Sequence, residues 1–132
     1  MRENIMGKLI FEPYRKAVAS LKEALAQPKT EFLRDAVIQR FEYTFEMAIK
    51  LMKRGLEQMP ESNVDALTFG NLCRAAAEGG FIKNPDAWLE YREARNKTSH
   101  AYDEGIAEAV YAVAKRFLPV AEALLASLMQ KI

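Results

Sequence analysis

The chain has 132 residues, enough for one domain, and folding at that length buries roughly two thirds of the unfolded surface. It is 50% hydrophobic and 28% charged, which excludes a disordered chain, and its net charge of +1 gives no long-range pull on nucleic acid or anionic membrane. Its one cysteine, Cys73, excludes an internal disulfide, suits a reducing compartment and, with no CxxC or Cys/His cluster, offers no zinc site.

The N-terminal "MRENIMGKLIFEPYRK" has charges on both sides of a short apolar run and does not read as a signal peptide. The first predicted helix covers about Glu12 to Ala26, with Tyr14, Val18, Leu21 and Leu25 at helical spacing and Pro13 in its first turn. "QPKT" ends it.

Thr30 then reads as an N-cap, with Glu31 just inside. The second helix runs from about Glu31 to Gln58. Val37, Phe41, Phe45, Ala48, Met52 and Leu56 form its stripe, widened by Ile38 and Ile49. "MPESNVD" is a polar connection. A short third helix, about Thr68 to Glu78, ends at Gly79-Gly80, a C-cap signal. Cys73 reads as buried filler within it.

Asn84 is expected to cap a fourth helix that has Pro85 at its first position and Asp86 behind it. Trp88, Tyr91 or Arg92, and Arg95 share one of its faces, and Trp88, Phe41 and Phe45 are expected in the core. The fifth helix starts near Asp103, carrying Ile106, Val110, Val113, Phe117, Val120, Leu124 and Leu128 as its stripe. Pro119 should kink it or be absorbed by a local distortion. Its "FLPVAEALLASLM" is broken by Glu122 and too short to span a bilayer, so the expected location is cytoplasmic. No strand pattern, repeat or linker is visible. The expectation is a single all-α domain over 1–132, an antiparallel up-and-down bundle of four to five helices.

Chemistry concentrates in "REARNKTSHAYDEG", Arg92 to Gly105, which holds the chain's one histidine. Its centre, Asn96 to Ser99, is made mostly of poor helix formers. Arginine carries a fixed charge and a planar fork of donors suited to phosphate. Histidine gives or takes a proton near neutrality. On one regular helix five positions would turn His100 roughly 140° away from Arg95. If the helix ends between them, the two converge, and the start of the fifth helix adds backbone N–H groups suited to an anion. That arrangement fits general-base attack at a phosphodiester. The same residues also fit a plainer role: Arg95 paired with Glu42 or Glu46, His100 a cap or surface residue, and Tyr102 a core residue with a polar tip.

Three stretches resemble the HEPN superfamily, in its branch of nucleotidyltransferase substrate-binding proteins. They are "LRDAVIQRFEYTFEMAIKLMK", "AAAEGGFI" followed by "WLEYREARNKTSHAYDE", and the long final helix. The match covers about Thr30 to Ile132 and, more loosely, the first helix. The HEPN signature is Arg, a polar residue, then His after four to six intervening positions, which Arg95, Asn96 and His100 complete.

The resemblance implies a HEPN helical bundle, a homodimer with two motif copies in one cleft, and pairing with a minimal nucleotidyltransferase in a toxin–antitoxin module. It implies a metal-independent endoribonuclease that needs no cofactor. His100 would transfer the proton, Arg95 would hold the scissile phosphate, Asn96 would orient groups in the site, and Glu42 and Glu46 would support it. The His100, Ala101, Tyr102 sequence matches the pattern in which the nucleotidyltransferase adenylylates the tyrosine and silences the nuclease. The alternative is a non-catalytic subunit that binds a nucleotide or substrate for the nucleotidyltransferase. From Lys83 to Lys97 the cations Lys83, Arg92, Arg95 and Lys97 face the anions Asp86, Glu90 and Glu93, so an RNA cleft would draw its charge from dimerisation or from other helices. The first and last helices are the expected surfaces for another chain.

Overall fold

In a computed structural model, which describes residues 10–59 and 63–131, the chain forms five α-helices. They are α1 (Glu12–Leu25), α2 (Glu31–Glu57), α3 (Phe69–Glu78), α4 (Pro85–Asn96) and α5 (Glu104–Lys131). Short 3-10 turns occupy Val64–Ala66 and Thr98–His100, and the described residues contain no strand. The reading of the N-terminal stretch up to residue 9 falls outside the described residues, as does part of the connection after α2.

Helix boundaries follow their capping chemistry. Thr30 Oγ1 accepts from the Leu33 amide at 3.0 Å, and Thr68 Oγ1 does the same for Asn71 at 3.2 Å. After α3 the chain closes a Schellman turn: Phe81 N–H donates to Ala76 O at 2.9 Å and Gly80 N–H to Ala77 O at 3.0 Å. Gly80 sits at φ +83°, a conformation glycine adopts without steric cost. Asn84 departs from expectation. It precedes α4 but its side chain makes no capping bond; its backbone carbonyl accepts from Ala87 at 3.2 Å instead.

Helices α2 and α5 run parallel and in contact, with α1 against both on one side and α4 against both on the other. Arg34 near the start of α2 meets Glu104 at the start of α5, and Phe41 meets Phe117 further along. At the far end a Cβ on Gly55 would come within 2.8 Å of the Leu128 side chain, so a larger residue there would force that side chain to shift. Helix α1 runs opposite: Arg15 reaches Met129, and Lys22 reaches Glu122. Helix α4 also runs opposite to α5, with Glu90 on Arg116 and Trp88 on Phe117. This is the expected up-and-down bundle, with α3 as an added short helix packed on α4 and α2.

The core is aromatic at its middle. Phe117 lies edge-on to Phe41, Trp88 and Tyr91 at centroid distances of 5.3, 5.6 and 5.1 Å. The expected α2 stripe, Val37 through Leu56, is buried throughout, and Cys73 is buried too. Burial pushes the Cys73 thiol up to about 11, against the pull of Arg74 and Arg92. Pro119 is absorbed, since α5 runs unbroken through it. Two buried polar bonds tie α1 in place: Tyr14 Oη donates to Ala121 O at 2.9 Å, and Thr44 Oγ1 to Ala17 O at 3.2 Å.

Candidate functional site

Helix α4 is positioned by its buried face, Trp88, Tyr91 and Ala94. Tyr91, not Arg92, is the core member, and Arg92 is exposed. With Ala94 turned inward, the next residue, Arg95, emerges beside α2 with a third of its side chain exposed. There it pairs with Glu46 and has Glu42 at 3.7 Å. These carboxylates are one helical turn apart on α2, so both reach the same guanidinium.

The helix then stops for a visible reason. Thr98 Oγ1 donates to the Arg95 carbonyl at 2.8 Å, a side-chain bond that competes with helix continuation. His100 N–H donates to Lys97 O at 2.9 Å, and Asp103 N–H to His100 O at 3.1 Å. Asp103 Oδ1 then accepts from Ile106 N–H at 3.0 Å and opens α5. The break is thus a hydrogen-bonded 3-10 turn that carries His100 between two helix ends.

At the start of α5 the Asp103 carboxylate takes the Ile106 amide and Glu104 follows, so acidic side chains already sit at that helix end. Tyr102 is not a core residue: it is 85% exposed. Its Oη lies 3.5 Å from His100 Nδ1, and the two rings meet edge-on at 6.1 Å.

The sequence-predicted residues fall into two groups. Arg95, Asn96 and Glu46 line a groove of about 330 Å³ between α2 and α4, and Glu42 stands next to Arg95. His100 and Tyr102 form an exposed pair outside that groove, and among the described residues no hydrogen bond joins His100 to Arg95 or Asn96. The groove also holds Lys50 and Lys53 from α2, which sequence reasoning passed over, and Arg92 from α4, whose guanidinium sits 4.8 Å above the Phe69 ring. Lys50 and Lys53 lie four and seven positions after Glu46, so helical spacing alone would have put them on its face. Four cations therefore face one lining carboxylate, Glu46, in a molecule whose total charge is +1.

A second cluster fixes the start of α5. Buried Arg34 donates to Glu104 at 2.6 Å and to Glu108 at 3.0 Å, and Lys29 reaches Glu108 at 2.5 Å. The bonds from Lys29 and Arg34 hold the Glu108 carboxyl below its ordinary range. Among the described residues, no three His, Cys, Asp or Glu side chains group to hold a metal ion, and no helix is long and apolar enough to cross a membrane.

The family described as "Nucleotidyltransferase substrate binding protein like" matches residues 9–130. The chain belongs to this family. Its resemblance to the nucleotidyltransferase substrate-binding branch of HEPN proteins is borne out. This member is 40% identical over 96 residues to a Haemophilus influenzae protein named "Probable ribonuclease HepT". That match spans 71% of the chain and 66% of the relative's length. A solved H. influenzae structure, described as revealing the fold of a substrate binding domain of a nucleotidyltransferase, superposes with a TM-score of 0.84 at 31% identity. It covers 92% of this chain and all of its own. A Thermus thermophilus structure superposes with a TM-score of 0.77 at 30% identity, over 87% of this chain and 98% of that one. The fold of this family member is therefore the bundle of those solved relatives.

Proposed function

We propose that this protein is a metal-independent endoribonuclease, the toxin of a two-gene pair whose antitoxin is a minimal nucleotidyltransferase. What carries this reading is Arg95 with Asn96 in an electropositive groove, one 3-10 turn before an exposed histidine. The name of the 40% identical H. influenzae relative supports it.

In the proposed reaction His100 takes the proton from an RNA 2′-hydroxyl, and that oxygen attacks the adjacent phosphorus. The bond to the 5′-oxygen breaks, the leaving oxygen gains a proton, and a 2′,3′-cyclic phosphate remains. Arg95 neutralises the charge that grows on the phosphoryl oxygens, and Asn96 donates to the same phosphate. Because Arg95 enters the groove while His100 faces solvent, the active form is a homodimer, with the His100 turn of each copy meeting the cleft of the pair. Tyr102, exposed beside His100, is the residue the partner enzyme modifies. Its hydroxyl oxygen bonds to the α-phosphorus of ATP, pyrophosphate leaves, and the new anionic group blocks RNA.

A second reading has its own observation. Arg95 is already neutralised by Glu46 and Glu42, as suits a non-catalytic subunit that holds a nucleotide or substrate for a nucleotidyltransferase. RNA cleavage in EDTA by wild type, lost in His100→Ala, supports the nuclease. Folded, dimeric, unmodified wild type that cleaves nothing supports the binding subunit.

A further inference from the structure

We infer that the groove beside Arg95 is a phosphate-binding subsite for single-stranded RNA, in which Lys50, Lys53 and Arg92 hold the backbone next to the bond to be cut. The inference deepens the ribonuclease reading and rests on it for the choice of strand.

The groove has two charged walls. On α2, Lys50 and Lys53 are three residues apart and both line the groove; on α4, Arg92 and Arg95 repeat that spacing. Among the described residues Lys50, Lys53 and Arg92 enter no ion pair, although Arg15, Lys22, Lys29, Arg34, Arg40 and Arg116 each do. Unpaired cations on facing helices repel one another, and a bound anion relieves that cost.

Arg92 is also preorganised. Its guanidinium lies 4.8 Å over Phe69, which leaves the in-plane N–H donors free to meet a phosphate while the ring fixes their plane. Ile49, Phe45 and Phe69 form an apolar floor between the walls. At about 330 Å³ the groove is at the small end for a ligand site, the size for a single nucleotide unit rather than a folded partner. Its continuity with Arg95 and Asn96 puts that nucleotide beside the phosphate those residues are proposed to hold. A nucleoside triphosphate offers the same phosphate chemistry, and the test separates the two sources.

The experiment uses full-length His100→Ala protein, which binds without cutting, and a short fluorescent single-stranded oligoribonucleotide. Affinity is read across salt with the groove intact and with Lys50→Gln, Lys53→Gln and Arg92→Gln combined. Each lost phosphate contact lowers the slope of log affinity on log salt by about 0.7, so the triple variant should lose about 2 from that slope. Lys115→Gln, an exposed cation of α5 outside the groove, should leave the slope unchanged. Thermal unfolding confirms that each variant folds.

An unchanged slope in the triple variant overturns the inference, as does His100→Ala protein that binds no RNA. Loss of tripolyphosphate binding with RNA binding intact gives the groove to a nucleotide and overturns the RNA assignment. Loss of binding only to the partner nucleotidyltransferase overturns it in favour of a protein interface. The ribonuclease reading fails separately: a groove-dependent slope with no cleavage by wild type leaves the subsite standing and removes the nuclease. Wild-type cleavage with an unchanged slope does the reverse.

Discussion

Arg95 of α4 is paired with Glu46 of α2, so the arginine expected to hold a phosphate is already satisfied by a carboxylate. Both side chains are more than a third exposed, and a pair in that setting contributes no more than about 1 kcal/mol. A dianionic transition state can displace it, but at some cost in affinity. Glu46→Gln should therefore lower KM for RNA by about two- to fivefold, with stability changed by less than about 1 kcal/mol. Steady-state kinetics on a defined RNA would check this. A Glu46→Gln variant with lowered kcat and unchanged KM would mean that the glutamate positions Arg95 rather than competing for it.

Phe117 should be the most costly single truncation in the middle of the core. It is fully buried and touches four other aromatic rings, Phe41, Phe45, Trp88 and Tyr91. Phe117→Ala is expected to lose about 3–5 kcal/mol, seen as a lower denaturant midpoint at an unchanged slope.

Acid should loosen the start of α5 before other parts of the bundle. The Glu108 carboxyl is held below its ordinary value of about 4.5 by hydrogen bonds from Lys29 and then Arg34. A depressed folded-state pKa contributes stability that is present above about pH 4.5 and is lost as pH falls through the lower folded value. Glu108→Gln should therefore be less stable than wild type at neutral pH, and the gap should close below pH 4.5. Urea midpoints measured across that range would show it; a gap that persists in acid would contradict the assignment.

Cys73 should resist thiol reagents in the native protein. Burial pushes its pKa to about 11, so little thiolate exists at neutral pH and access is closed. Labelling should be slow until denaturant opens the core, and rapid labelling at neutral pH without denaturant would contradict this.

The sequence carried the helices because their signals are local. The Val37 to Leu56 stripe, the Thr30 cap and the Gly79-Gly80 stop each depend on neighbours within one or two turns, and all are found where expected. Other features needed the packing. Arg34 carries no local signal of burial, yet it is buried where α5 brings Glu104 and Glu108 to it from 70 and 74 positions away. The groove is the same case at the site: Lys50 and Lys53 join Arg92 and Arg95 only when α2 meets α4. That contact supplies charge the motif itself lacks, which is how another helix gives the site its electropositive character. The Arg95–Glu46 pair was foreseen as the plain alternative to phosphate binding, whereas the Asp103 side-chain bond to the Ile106 amide was not foreseen.

The most direct test of the central claim is the chemistry at the cut ends of RNA incubated with the protein in EDTA. Wild type should yield fragments ending in 2′,3′-cyclic phosphate, and His100→Ala and Arg95→Ala should each reduce their formation by at least about 100-fold, the lower range for a positioned proton-transfer group. Equal cleavage by wild type and His100→Ala, or ends without a cyclic phosphate, would contradict the account.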